Sequence, residues 1–422
     1  MATNSLFYKF NPAINNWVNQ PGATTMTQGV GYIGRAPSGT YSPTKIVETS
    51  FVGVPSNGVI NTSIVKSTGT YSLIGNPYPS AIDVDLFIAA NTSVTNGTVY
   101  FWTHNTAITN NVYTANDYAK YNFTGAVRTS TSAITGGALP TGKIAAGQGF
   151  FIEAKSSSAN GTYSATFNNA MRISANNTQF FKNNASTNAV NSISQALERH
   201  RVWLSLRSSL GSYNQMLLGY VQGATNDFDS LFDGKTLAGG NSVSIYTRAG
   251  ADQLAIQGKS LPFSEADVIP IGYSTTLNGE LSINLDDFDG LFTNQNVYLL
   301  DKTANILHDL KAMPYTFITT NGNFEQRFEL RFINQTLGIT IPTITDNDIK
   351  IITTNHQLEV ISPAMAITNI QVFDILGKLL FTQNDLNTNL FQTNSLLIAP
   401  QILLVKVTLE NQQSFTKKTL IK

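Results

Sequence analysis

The side chains in this sequence best placed to do chemistry are two runs of carboxylates. Asn226-Asp227-Phe228-Asp229-Ser230-Leu231-Phe232-Asp233-Gly234 sets Asp227, Asp229 and Asp233 at an i, i+2, i+6 spacing, and Asp286-Asp287-Phe288-Asp289-Gly290 supplies Asp286, Asp287 and Asp289. Clustered hard oxygen donors suit calcium. Against a helix–loop–helix calcium site, Leu231 occupies the fifth position of the first run and no glutamate closes it at the twelfth. The alternative is that the aspartates cap turns and short helices while Phe228, Phe232, Phe288 and Phe292 fill the ends of a β-sandwich. The capping reading is preferred, so neither a metal nor a cofactor is expected.

Other catalytic chemistries lack their residues. Cysteine is absent, which removes thiolate nucleophiles, thiolate metal sites and disulfides together. His104, His200, His308 and His356 are far apart, with no H-E-x-x-H pair. No G-x-S-x-G elbow occurs, and the Gly234-Lys235-Thr236 step has Asp229 where a phosphate-binding loop needs its first glycine. Gly29-Val30-Gly31-Tyr32-Ile33-Gly34 satisfies the dinucleotide fingerprint, but that fingerprint must open a helix, and Arg35-Ala36-Pro37-Ser38-Gly39 follows instead. A glycine-rich strand or bulge that lets backbones approach closely is the expectation there. Trp102, Tyr113, Tyr118 and Tyr121 lie beside Asn and Thr, as in a sugar-stacking platform, although a sandwich core uses the same letters.

The elements that must position these groups are strands. Apolar residues alternate or run in short blocks between Asn-Gly, Gly-Thr and Pro-Ser steps, and helical periodicity is confined to 81–90 after Ser80. The fold class expected is all-β, as tandem antiparallel β-sandwiches: two jelly-roll-like modules over 1–180 and 190–335, and a C-terminal Ig-like sandwich over 345–422. The polar stretch Asn183-Asn184-Ala185-Ser186-Thr187-Asn188 reads as a linker, and Ile341-Pro342-Thr343-Ile344 begins the second boundary.

Composition narrows the partners. Lys plus Arg and Asp plus Glu are 26 each, and charged residues make up 12% of the chain, against roughly 25% in average domains. That disfavours nucleic acid. No window reaches the ~18 apolar residues of a membrane span. The opening Met1-Ala2-Thr3-Asn4-Ser5 lacks the basic and apolar regions of a secretory signal. A secreted β-protein composition without that address implies the C-terminal part of a longer precursor, or a mature or recombinant form of one.

The last ~80 residues resemble the type A C-terminal sorting domain of the type IX secretion system of Bacteroidota. The resemblance is carried by Ile349-Lys350-Ile351-Ile352, Leu358-Glu359-Val360, Ile370-Gln371-Val372-Phe373-Asp374-Ile375-Leu376-Gly377-Lys378, Leu404-Val405-Lys406-Val407 and Lys417-Lys418-Thr419-Leu420-Ile421-Lys422. Where that family usually has Gly-x-Tyr, this chain has Gln401-Ile402-Leu403. Upstream, Gly75-Asn76-Pro77-Tyr78-Pro79 and Ala146-Gly147-Gln148-Gly149-Phe150-Phe151 are similar to domains of large flavobacterial surface proteins.

The resemblance implies a non-catalytic, adhesin-like protein carried through the periplasm and outer membrane to the cell surface or beyond. Its partners would be the outer-membrane translocon with its shuttle and attachment proteins, and surface glycans. The alternative is an accessory carbohydrate-binding region of a secreted hydrolase whose catalytic domain lies upstream. Asp374, Gly377, Lys378, Lys406, Lys417, Lys418 and Lys422 are the expected sorting-signal residues. The 414–420 strand is the expected edge, with Lys417-Lys418 either reading the partner or blunting that edge. Asp229-Ser230-Leu231 also resembles the O-glycosylation pattern of these bacteria, which would place a sugar on Ser230.

Overall fold

In a computed structural model, residues 7–21, 24–34, 52–67, 69–103, 106, 113–129, 139–174, 176–177, 196–334, 348–363, 365–393, 395–410 and 413–421 are described. The described residues are nearly all β, with one α-helix among them, and the chain divides into two compact units, Met1–Asn334 and Gln335–Lys422. Both the 183–188 linker and the Ile341–Ile344 boundary segment fall outside the described residues.

The first unit holds two sandwich cores. A five-stranded sheet runs in the order Tyr71–Gly75, Gly149–Ala154, Thr95–Trp102, Tyr118–Tyr121, Ala126–Val127. Phe101, Phe150 and Ile152 on its inner face bury against Phe87 of the helix and against Ile64 and Phe167 of the hairpin Ile60–Lys66/Gly161–Phe167. The helix begins later than its sequence indicates. Ala81–Asp83 is a strand, because Ile82 pairs with Ile144 and Arg172, and the helix spans Val84–Ala90. Asp83, not Ser80, is its cap: the carboxylate accepts the amides of Asp85 and Leu86 at 2.9 and 3.2 Å. Its other oxygen holds the buried Lys143 ammonium at 2.6 Å.

The second core lies between two sheets that share one strand. In Val243–Ala249, residues 243–246 pair with Ile269–Thr275 and residues 247–249 pair with Asp252–Lys259, so the chain passes from one sheet into the other. Asp252–Lys259 also pairs parallel with Tyr213–Val221, the one parallel pairing among the described strands of an otherwise antiparallel fold. Val202, Leu204 and Leu206 of Arg199–Ser208 face this core. Trp203 of the same strand faces the other way, joining Val127, Leu217 and Ile256 in a small cluster where the two sandwiches meet. Its indole Nε1 donates to the Ala126 carbonyl at 2.7 Å, and Thr98 Oγ1 donates to the Asp233 carbonyl at 3.0 Å. The strand is therefore buried on both faces.

The second unit is a seven-stranded sandwich. Lys350–Thr354, Gln357–Ile361 and Leu390–Gln392 form one sheet, and Leu379–Gln383, Ile367–Asp374, Gln401–Leu409 and Ser414–Ile421 form the other, in those orders. Leu358, Val360, Ile370, Val372, Leu403, Val405 and Val407 fill the core between them. A 3 + 4 arrangement of short antiparallel strands is the Ig-like architecture expected from the sequence.

Candidate functional site

The turn singled out by its Phe-Asp-x-x-Gly-Lys phrase joins two neighbouring strands of the four-stranded sheet. Asp374 ends the first strand and organises the turn: its Oδ1 accepts the amides of Leu376 and Lys378 at 2.8 and 2.9 Å, and its own amide donates to the Lys378 carbonyl at 3.0 Å. Gly377 sits at φ +82°, in the left-handed region that β-branched residues avoid. With the Asp374 carboxylate spent on backbone amides, the turn is fixed and pushes Ile375 and Leu376 outward, Leu376 being 89% exposed. Gly377→Val is expected to cost ~1–3 kcal/mol, because no other atom crowds the position and backbone strain is the whole effect. Urea denaturation of the substituted chain measures it, and an unchanged midpoint would show the turn to be unstrained.

Strand register extends this apolar tip across the outer face of the sheet. Phe373 lies opposite both Leu379 and Leu404, Leu404 lies opposite Lys418, and Ile402 lies opposite Leu420. None of these side chains belongs to the buried core, and Leu379 and Leu420 are 45% and 48% exposed. One end of the outer face is thus apolar, while Gln371, Thr382, Lys406 and Thr416 make the other end polar. Exposed, contiguous apolar surface rimmed by charge is a mark of an interaction site.

The basic residues do not form one patch. Lys418 and Lys406 share the outer face, and Lys378 is exposed at the turn, whereas Lys417 lies opposite the core residue Val405 and is half-buried. Adjacent strand residues point to opposite faces, so Lys417 and Lys418 do not read one partner surface together. Lys422 falls outside the described residues. Ser414–Ile421 is the last strand of its sheet, and Thr353 Oγ1 of the other sheet donates to the Leu420 carbonyl at 2.9 Å, covering part of that edge.

The two acidic runs behave differently from a calcium loop. Asp233 is buried, and its two oxygens accept the amides of Gly258 and Asp229 at 2.9 and 2.6 Å. Burial pushes its carboxyl up to about 7 and raises Asp229 as well. Asp227 is exposed. The second run is no loop: it completes the strand Gly279–Asp289, so its carboxylates diverge. Asp286 accepts from Ser205, Tyr213 and Gln215 at 2.7, 2.8 and 2.7 Å and from Arg207. Asp289 pairs with Arg201, and Asp287 Oδ1 accepts the Phe288 amide at 2.9 Å. Among the described residues no group of three or more His, Asp or Glu side chains is placed to hold a metal ion.

Of the aromatics read as sandwich filling, Phe232 and Phe292 are buried, Phe228 lies under Lys235, and Phe288 is exposed beneath Lys311. Ser230 is half-buried rather than at an open loop tip, and its carbonyl accepts the Gly97 amide at 2.6 Å.

The aromatic platform is also divided. Tyr121 is buried, with its hydroxyl on Asp85 Oδ1 at 3.0 Å, and Tyr118 packs edge-on against Phe151 at 5.8 Å. Only Trp102 and Tyr113, 5.9 Å apart, remain at the surface as a pair. The glycine fingerprint serves close packing, since a Cβ on Gly31 would stand 2.5 Å from Leu73 Cγ. His104 lies outside the described residues, and His200 Nδ1 accepts the Leu291 amide at 3.1 Å.

Residues missed by sequence reasoning are the outer-face set Phe373, Leu379, Leu404 and Leu420. The signal was present in Ile402-Leu403-Leu404-Val405, an unbroken apolar run in a strand that needs only alternate residues for its core.

Residues 1–332 match the model of a family described as Domain of unknown function (DUF8693), and residues 337–421 match a second, Domain of unknown function (DUF8694). The two models divide the chain where the two compact units meet. No curated protein matches the chain.

Proposed function

We propose that this chain, a member of the Domain of unknown function (DUF8693) family, is the non-catalytic C-terminal region of an adhesin-like surface or secreted protein. Its last unit is the address that takes it through the type IX secretion system. The observation that carries this reading is the build of the 335–422 unit: a sandwich with its own core that displays a fixed turn and an apolar outer end edged by Lys378 and Lys418. Such a surface can be recognised folded, by apolar contact at the turn and charge at its rim. The first unit is the cargo. Among the described residues no helix is long and apolar enough to cross a membrane.

Fusing residues 335–422 to a foreign periplasmic reporter in a type IX-competent host is expected to bring the reporter to the medium or cell surface. A reporter retained in the periplasm, with the fused unit folded, would overturn the reading. Leu376→Asp in the same fusion is expected to lower export without unfolding the unit, since the side chain buries nothing in the fold.

A further inference from the structure

A cleft of about 410 Å3 in the 1–334 unit is lined by Asn284, Leu285 and Asp286 of the strand Gly279–Asp289, the segment 310–314, Arg128 and Arg207. Its charges are compensated unequally. Asp286 is neutralised by Arg207 and by three neutral donors. Lys311 donates to the carbonyls of Phe292 and Thr293 at 2.5 and 3.1 Å and lies in the field of Asp309.

Arg128 is the exception. Its Nε is buried with no hydrogen-bond partner, and its guanidinium makes no ion pair among the described residues. Its backbone amide, in contrast, is held at 3.0 Å by Gln215 Oε1, the side chain whose amide nitrogen binds Asp286. The guanidinium thus stands on a fixed backbone in the same cleft as a settled carboxylate, with its Nε–H unmet. Leaving a buried guanidinium N–H unpaired is costly, and a carboxylate or sulfate can meet Nε and a neighbouring Nη with two parallel bonds.

We propose that this cleft binds a saccharide bearing a carboxylate or sulfate group, with Arg128 taking the oxyanion. The cleft is large enough for a small organic ligand rather than a bare ion. Asn284, whose Nδ2 donates to Ser282, offers its Oδ1 to a ring hydroxyl, and Met313 and Pro314 supply apolar surface for the ring itself. The assignment is independent of the export reading, because it concerns the purified chain in solution.

Calorimetric titration of the whole chain tests it with four probes of similar length: oligogalacturonate, a chondroitin sulfate oligosaccharide, a neutral cello-oligosaccharide and oligoglutamate. One or both acidic saccharides are expected to bind, the neutral one not, and Arg128→Gln to weaken binding at least tenfold. Which acidic probe binds separates carboxylate from sulfate recognition. Failure of both acidic saccharides, undiminished binding by a folded Arg128→Gln chain, or preference for oligoglutamate would overturn the proposal. Protection of the Arg128 peptide from phenylglyoxal by the bound saccharide reads the same contact in the unsubstituted chain, and absence of protection counts equally against it.

Discussion

Lys120→Met is expected to stabilise the 1–334 unit by about 3 kcal/mol at pH 7. Lys120 is 4% exposed in the sheet between Thr95–Trp102 and Ala126–Val127, and its ammonium makes a single hydrogen bond, to the Tyr118 carbonyl at 3.3 Å. It has no carboxylate partner among the described residues, and burial alone brings its pKa down to about 8. Against the ordinary value of 10.5, that depression means the folded state holds the charged form at a cost of roughly 1.4 kcal/mol per pKa unit. Because the unfolded chain binds the proton more tightly, stability is lowest below pH 8 and rises as pH climbs from about 8 to 10.5. The methionine variant fills a similar volume and lacks this rise. Urea denaturation at pH 7 and pH 10 measures both effects, and a variant less stable than the parent at pH 7 would show that the ammonium has an unseen partner.

Arg327→Leu is expected to cost about 3–5 kcal/mol, the range found when one partner of a buried pair is removed. Asp301 is 0% exposed and accepts from Arg327 Nη2 at 2.8 Å, Tyr315 at 3.0 Å and the Thr303 amide at 2.9 Å. Desolvation works to raise its carboxyl, but the hydrogen bonds from Arg327, the Ala304 amide and Tyr315 outweigh it and hold it below the usual carboxylate range. A depressed carboxyl contributes stability above its unfolded pKa and loses it as pH falls through the folded value, so the parent should weaken in acid more steeply than the variant. Arg327 also lies over the rings of Phe317 and Phe328, at 4.6 and 5.0 Å from their centroids, so packing is lost with the charge. Pairing the substitution with Asp301→Asn should recover part of the loss. Full retention of stability in Arg327→Leu would mean that Tyr315 and the backbone amides alone suffice for Asp301.

The strands were legible because their apolar alternation is a local property: the apolar blocks at 349–352, 357–361, 367–373 and 402–408 of the last unit appear as strands at nearly those places. Alternation did not reveal that Arg199–Ser208 is buried on both faces, since the surface that covers Trp203 comes from Ala126 and Val127, far away in the chain. The roles of the second acidic run, read as caps, were hidden for the same reason. The spacing of Asp286, Asp287 and Asp289 is local, but their roles are set by Ser205, Tyr213, Gln215 and Arg201 on neighbouring strands, and by a register shift opposite Trp203 and Leu204. The Asp374–Lys378 turn was readable because a glycine after Asp-x-x carries its own geometry. The apolar outer end was hidden because an unbroken apolar strand reads as core until its neighbours are placed.

The central claim is that residues 335–422 form the export address. Its most direct measurement is the location of a chain shortened to residue 334, expressed behind a cleavable secretory signal in a type IX-competent host. Protease added to intact cells reports surface exposure. The account predicts a folded first unit, since its cores are its own, that is protected in the periplasm while the full-length chain is degraded at the surface. Equal surface exposure of the shortened chain would contradict it.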